Sequence, residues 1–187
     1  QVNTLNDTGV LGHVYGRAPL WHFQQPTRMT LPGDAIKALP PVDTADDAQL
    51  ESLHALSAAI LDTLPYQAGA TSVDTTAEDA MQGEVGVCQD HAQIFVSAAR
   101  LSGLPARYVS GYLMTDEEIA HEATHAWAEV FVSGLGWVGF DVSNGMSPDE
   151  RYTRIAIGRD ARDAAPIEGL RMGSAQESLV VSLQVQQ

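Results

Sequence analysis

The chain has 187 residues and a mass of 20.0 kDa, which suits one substantial domain. Hydrophobic residues make up 44% of it and charged residues 18%, so we expect a packed core and not a disordered chain. Ten basic residues against 24 acidic ones give a net charge of −14. That charge excludes nucleic acid and anionic membranes as main partners, because the field of the protein would repel both.

The single cysteine, Cys88, excludes an internal disulfide bond, so burial of apolar side chains must stabilise the fold. No apolar run is long enough to predict a membrane-spanning helix. Residues 1–10 lack the basic start and the apolar stretch of a secretory signal, and we therefore predict a cytoplasmic protein. The chain also lacks an initiator methionine, which suggests a fragment of a longer protein.

The first predicted helix covers residues 44–64, after an N-terminal stretch, 1–30, that is typical of short strands or irregular chain. Thr44 would cap this helix and Pro65 would end it. One face is apolar, because large aliphatic residues recur at spacings of three and four: Leu50, Leu53, Leu56, Ile60 and Leu64.

Two further helices are predicted before the chain turns to strands. A short helix over 75–82 would be capped by Thr75 or Thr76. A longer amphipathic helix begins at Cys88, and Gly103 ends it.

Strand-like segments dominate the remainder of the chain, apart from an acidic loop or short helix over 114–124. The predicted strands cover residues 106–113, 126–132, 137–142 and 179–185. Helices followed by antiparallel strands predict an α+β fold.

Cys88 is a candidate nucleophile because of its position in the chain. It follows Gly86 and begins a helix, whose N-terminus favours an ionised thiolate. The backbone N–H groups of that first turn have no partner within the helix and are available to an oxyanion. Most free cysteines are small buried hydrophobic residues, so this pattern alone leaves both roles open.

A thiolate nucleophile requires a base and a residue that orients the base, and His125 and Asp141 are the candidates. His125 opens one predicted strand, and Asp141 lies in the next strand, beyond a turn at 133–136. With a three-residue loop at 133–135, the two side chains share a face and lie one diagonal step apart. A four-residue loop would place them on opposite faces.

Several segments in a fixed order carry a family resemblance. They are GVCQD at 86–90, LPARYVSGY at 104–112, HAWAE at 125–129, GWVGFD at 136–141, GRD at 158–160 and DAAPIEG at 163–169. In these segments the chain resembles the transglutaminase-like core of bacterial cysteine proteases. The resemblance implies a papain-like α+β core over 31–187, with the nucleophile at the N-terminus of a helix that packs on an antiparallel sheet.

The same resemblance implies a catalytic triad in which Cys88 is the nucleophile, His125 the base and acid, and Asp141 the residue that orients the imidazole. It implies acyl transfer on peptide or carboxamide bonds through a thioester acyl-enzyme, with hydrolysis favoured over transamidation. We expect a peptide or protein substrate, no cofactor and no metal. Residues 1–30 would be the end of a β-rich domain that precedes the core.

The sequence departs from the family pattern in two places and leaves one role open. Val142 stands where the family often has proline, and His91 stands where an aromatic residue is common. His91 lies three residues beyond Cys88, so it either approaches the sulfur or packs in the interior. Gln82 and Gln89 both remain candidates for the second oxyanion donor.

Two other functional classes remain as alternatives. His121, Glu122 and His125 spell the zinc-peptidase pattern HExxH, which would bind zinc if the segment were helical. This segment continues directly into a predicted strand and hairpin turn, and that continuation argues against a helix here. The other alternative is a non-catalytic binding module on the same fold.

Four further residues are predicted to have structural roles. Arg107 and Glu129 both lie in apolar strands, and we predict a buried ion pair between them. Trp127 and Trp137 alternate with the triad candidates along their strands, and we expect core packing for each, with a place in the wall of the active-site cleft as the alternative for one of them.

Overall fold

The computed structural model describes residues 10–12, 18–114 and 124–166. Its sheet contains five antiparallel strands in the spatial order β1-β4-β3-β2-β5. The strands are β1 (Val10–Gly12), β2 (Ala106–Leu113), β3 (His125–Val132), β4 (Gly136–Phe140) and β5 (Tyr152–Gly158).

Four α-helices and a 3-10 helix (Leu20–Gln24) accompany the sheet in the part of the chain that the structure describes. The α-helices are α1 (Asp34–Lys37), α2 (Gln49–Thr63), α3 (Ala77–Met81) and α4 (Cys88–Leu101). Helix α4 packs against β2 and β3, and α2 and α3 pack against α4. The α+β prediction is therefore confirmed.

The apolar core lies between α2, α4 and the sheet. The predicted apolar face of α2 is fully buried at Leu53, Leu56 and Ile60. From α4, Phe95 stacks on Phe140 of β4 with the ring centroids 5.0 Å apart. Burial of each such side chain contributes about 1.5–3 kcal/mol, so this core fixes α4 firmly on the sheet.

Helix α2 begins at Gln49, so the prediction that it begins beside Thr44 is wrong. The side chain of Asp43 accepts a hydrogen bond from the backbone N–H of Ala45 at 3.0 Å, which closes a turn. The N–H of Asp43 donates to Oγ of Ser52 at 2.8 Å and ties this turn to the helix. The polar residues before α2 therefore satisfy each other locally instead of extending the helix.

Helix α3 confirms one of the two predicted caps. Oγ1 of Thr76 accepts a hydrogen bond from the backbone N–H of Asp79 at 3.2 Å. The helix covers Ala77–Met81 and is shorter than predicted.

The hairpin between β3 and β4 has the three-residue loop 133–135, because Val132 pairs with Gly136. Strand β4 ends at Phe140, two residues earlier than predicted. Asp141 instead begins a turn in which its backbone N–H donates to the carbonyl of Met146 at 2.8 Å and its carbonyl accepts from the Met146 N–H at 3.1 Å. The triad candidate thus lies just beyond the strand.

The predicted ion pair between Arg107 and Glu129 is confirmed. Both residues are buried, at 2% and 0% exposure, and Nε of Arg107 donates to Oε2 of Glu129 at 2.6 Å. Arg154 adds a second, longer contact to the same carboxylate at 3.4 Å. The guanidinium of Arg107 also lies 3.9 Å from the ring centroid of Trp137, so this tryptophan packs in the interior as expected.

Several sequence predictions fall outside the described residues. These are the strand over 179–185, most of the acidic segment 114–124 and the end of the tail segment 163–169. Of the residues before 31, Val10 of β1 pairs with Val138 of β4 in the same sheet. Among the described residues, no helix combines the length and the apolar character that crossing a bilayer requires.

Candidate active site

Cys88 is the first residue of α4 and is half-buried. The preceding residue, Val87, is extended, and its backbone N–H donates to Oδ2 of Asp90 at 2.8 Å. A Cβ atom at Gly86 would lie 2.7 Å from the side chain of Leu64, so glycine permits the close approach that begins the helix. In the described chain, no group accepts a hydrogen bond from the backbone N–H of Cys88, as the sequence analysis expects of this first turn.

His125 and Asp141 are in direct contact. Nε2 of His125 lies 2.6 Å from Oδ2 of Asp141, and the carboxylate is completely buried. Asp141 carries only acceptors, so Nε2 carries the proton of this hydrogen bond. That arrangement leaves Nδ1 as the ring nitrogen available to the Cys88 side chain, which lies close enough to raise the pKa of His125.

The charge state of His125 follows from these contacts. Burial lowers the pKa of His125, but the hydrogen bonds to Asp141 and Cys88 and the charges of both residues outweigh burial and raise the pKa to about 9. For Asp141, burial raises the pKa of the carboxyl group. The hydrogen bonds that the carboxylate accepts outweigh burial, so the pKa of Asp141 is lowered overall. At neutral pH the imidazole is therefore positively charged beside a carboxylate.

Two residues that the sequence analysis did not single out complete the surroundings of Asp141. The hydroxyl of Tyr152 and the side-chain amide of Asn144 donate to Oδ2 of Asp141, at 2.7 and 2.6 Å. Tyr152 comes from β5 and Asn144 from the turn after β4. A sequence signal exists for Asn144, because the pair Asn144-Gly145 marks a turn just after Asp141.

His91 does not contact the sulfur in the part of the chain that the structure describes. It is 1% exposed, with Nε2 2.7 Å from the carbonyl oxygen of Leu64 and Nδ1 2.8 Å from Oγ of Ser143. Because a carbonyl only accepts, Nε2 carries the proton and Nδ1 accepts from Ser143. Burial lowers the pKa of His91, so its neutral form joins α4 to the turn that contains Asp141.

Trp127 is buried beside His125, and the centroids of the two rings are 6.3 Å apart. Tyr152 lies edge-on against Trp127 at 5.5 Å. Gly111 pairs with His125 across the strands, and a Cβ atom there would clash with the carbonyl oxygen of Thr153 and lie 2.8 Å from the Trp127 ring. The small residue at this position therefore allows the tryptophan to pack beside the imidazole.

The zinc-motif alternative requires a helix through both histidines of the pattern. His121 and Glu122 lie outside the described residues. His125 is the first residue of β3, so the described end of the pattern is strand, and its Nε2 faces Asp141.

Comparison with known proteins identifies the family. The model of the transglutaminase-like superfamily matches residues 38–142, which is more than half of the chain. The chain belongs to that superfamily. The matched range includes all three candidate triad residues, Cys88, His125 and Asp141.

Two similar mycobacterial proteins are longer than this chain. An uncharacterized protein of Mycobacterium tuberculosis is 35% identical over 141 residues, covering 70% of this chain and 45% of its own length. An uncharacterized protein of Mycobacterium leprae is 34% identical over 127 residues, covering 65% of this chain and 45% of its own length. The chain thus spans about half the length of these curated relatives.

A solved structure from Cytophaga hutchinsonii, described as a "Putative Cysteine Protease", is similar in fold. The TM-score is 0.64 with 26% sequence identity, over 88% of this chain and 56% of that one. The similarity agrees with the α+β, transglutaminase-like fold described above.

Proposed function

We propose that this chain catalyses cysteine-dependent acyl transfer on peptide or carboxamide bonds. Cys88 is the nucleophile, His125 the base and acid, and Asp141 the residue that orients the imidazole. The observation that carries this proposal is the position of His125, whose ring hydrogen-bonds to a buried carboxylate and lies near enough to the Cys88 side chain for that side chain to raise its pKa. Membership of the transglutaminase-like superfamily supports the same assignment.

The reaction would proceed in two halves. The thiolate of Cys88 adds to the substrate carbonyl carbon, and the C–N bond then breaks as His125 gives its Nδ1 proton to the leaving amine. The product is a thioester. Water then attacks the thioester and passes a proton to His125, and the carbon–sulfur bond breaks to release the acid and restore the thiolate.

Hydrolysis is the favoured outcome and transamidation the alternative, since an amine could replace water in the second half. The description of the Cytophaga hutchinsonii protein as a cysteine protease favours hydrolysis. We expect peptides or proteins to be the substrates, and the proposed chemistry involves no cofactor.

Intact-mass measurement after incubation with a mixed peptide digest tests the proposal. We expect an acyl adduct on the wild-type protein and new peptide termini in the digest, and neither with Cys88→Ala or His125→Ala. His54→Ala is the matched control, because His54 is an exposed histidine on α2. Addition of methylamine distinguishes the two outcomes, because transamidation would attach it to the released acyl group.

Alkylation separates the proposal from its alternatives. Cys88 is the only thiol, so uptake of iodoacetamide reports on this residue alone. Alkylation at pH 6 faster than that of a free cysteine supports a thiolate–imidazolium pair, and an equal rate favours a binding module. Activity that survives alkylation but is lost on dialysis against a chelator would instead support the zinc alternative.

A further inference from the structure

The oxyanion formed during thiol acyl transfer is usually bound by two donors, and neither glutamine candidate is free to be the second. Gln82 is exposed, and its amide donates to Oε1 of Glu78 at 3.0 Å. The amide of Gln89 donates to the carbonyl of Ser72 at 3.4 Å. Each amide is thus engaged with another group of the chain, which leaves the role of second donor open to a different residue near the sulfur.

Tyr108 projects from β2 toward the start of α4. Its ring belongs to a buried cluster with Ala92, Ala126 and Ala164, and Cys88 packs against the same cluster. Ala92 lies one helical turn beyond Cys88, so the cluster covers the side of α4 on which the sulfur lies. Tyr108 is 4% exposed, which fixes its ring beside the site.

The hydroxyl of Tyr108 has no hydrogen-bond partner within the described part of the chain, and it is not among the fully buried unpartnered atoms there, so solvent or a ligand can reach it. Tyrosine hydroxyls on buried rings generally have a partner within the protein. Tyr152 follows that rule, since it donates to Asp141 at 2.7 Å. An unpartnered hydroxyl on a buried ring beside a nucleophile is therefore available to a ligand.

The Tyr108 hydroxyl also keeps its proton. Burial raises its pKa well above the ordinary value for tyrosine, and the nearby charges of Cys88, Asp90 and Asp160 raise it further. The group is consequently a hydrogen-bond donor at every pH at which the site would operate.

We propose that the Tyr108 hydroxyl donates a hydrogen bond to the oxyanion that forms when Cys88 attacks a substrate carbonyl. The backbone N–H of Cys88 is the other donor. As sulfur adds to the carbonyl carbon, the C=O electron pair moves to oxygen, and the two donors stabilise that charge until the carbonyl re-forms. No bond to Tyr108 forms or breaks. This inference rests on the function proposed above, and it makes Tyr108 a catalytic residue.

The test compares two reactions of the same sulfur in the full chain. Acylation by p-nitrophenyl acetate passes through an oxyanion, whereas alkylation by iodoacetamide does not. We expect Tyr108→Phe to slow acylation about 100-fold and to leave the alkylation rate within about twofold of wild type. The melting temperature should not fall, because the variant removes a hydroxyl that has no partner among the described residues.

Tyr66→Phe is the comparison variant, because Tyr66 is 51% exposed and its pKa is likewise raised, by burial and by Cys88. The proposal is overturned if acylation by Tyr108→Phe equals wild type, if acylation and alkylation fall together, or if Tyr66→Phe alone slows acylation. A fall in melting temperature would also contradict it, since the hydroxyl would then have a structural partner. A wild-type protein that is alkylated but never acylated would overturn the proposed function as well.

Discussion

Tyr152 donates its phenolic hydrogen to Oδ2 of Asp141 at 2.7 Å, the same oxygen that lies 2.6 Å from Nε2 of His125. Both Tyr152 and Asp141 are completely buried. Tyr152 begins β5, which pairs with β2 and not with the strand that carries His125. A separate strand of the sheet therefore helps to fix the carboxylate that orients the imidazole.

We expect Tyr152→Phe to lower the free energy of unfolding by about 2 kcal/mol, because a buried carboxylate loses a charge-assisted hydrogen bond. Urea denaturation measures this change. Tyr66→Phe serves as the control, because Tyr66 is half-exposed, and its effect should stay within about 0.5 kcal/mol. Equal losses from the two variants would show that the hydroxyl of Tyr152 does not stabilise Asp141.

Asp141→Asn should lower the pKa of His125 from about 9 toward its ordinary value, because the carboxylate contributes both a hydrogen bond and a charge that raise it. NMR titration of the histidine ring protons measures the shift. Asp74→Asn removes a carboxylate that pairs with Arg162 at the surface and should leave this pKa unchanged. An unaltered His125 titration in Asp141→Asn would contradict the orienting role of the carboxylate.

The stability of the protein should fall as the pH rises from about 6.5 to about 9. The pKa of His125 is about 9 in the folded protein, above its value of about 6.5 in the unfolded chain. His125 therefore contributes its full stabilisation below about pH 6.5, and this stabilisation is lost as the pH rises to about 9. This contribution is up to about 3 kcal/mol. Urea midpoints measured across this range, with His125→Asn as a flat reference, check the sign. A wild-type midpoint that rises with pH would contradict it.

Glu129→Gln should lower the free energy of unfolding by about 3–5 kcal/mol, because it leaves the guanidinium of Arg107 buried without a counter-charge. Replacing both partners, as Arg107→Met with Glu129→Leu, should recover part of that loss. Asp34→Asn breaks the exposed pair with Lys37 and should change stability little. A single-variant loss as small as that of Asp34→Asn would mean that the buried pair adds nothing.

The features predicted well from sequence depend on local pattern. The period of apolar residues predicted the buried face of α2, although not its first residue, because Asp43 forms a turn with Ala45 that spacing does not reveal. Strand alternation and the three-residue loop predicted that His125 and Asp141 would meet, and they do, at 2.6 Å. The end of β4 was predicted two residues too late, because Asp141 pairs with Met146 across a turn instead of continuing the strand.

The roles of His91 and of the glutamines could not be predicted from sequence. The position of His91, one turn beyond Cys88, leaves a contact with the sulfur open. In the structure its partners come instead from the loop after α2, at Leu64, and from the turn after β4, at Ser143. The sequence leaves Gln82 and Gln89 both open as oxyanion donors, and in the structure the amide of Gln82 bonds to Glu78 of α3. Helix spacing gives the direction of a side chain only relative to its helix, and not what the rest of the chain brings against it.

The α+β class, the start of a helix at Cys88 and the hairpin on which His125 and Asp141 meet are all predictable from local sequence patterns. Each of them depends on spacing within a few turns or one short loop. The groups that surround these residues follow only from the folded structure. Tyr152 from β5, His91 from α4 and Tyr108 from β2 are separated along the chain, and packing of the helices on the sheet brings them to one end of α4. Contacts of that kind follow from how whole elements bury their apolar faces together, which no local pattern encodes.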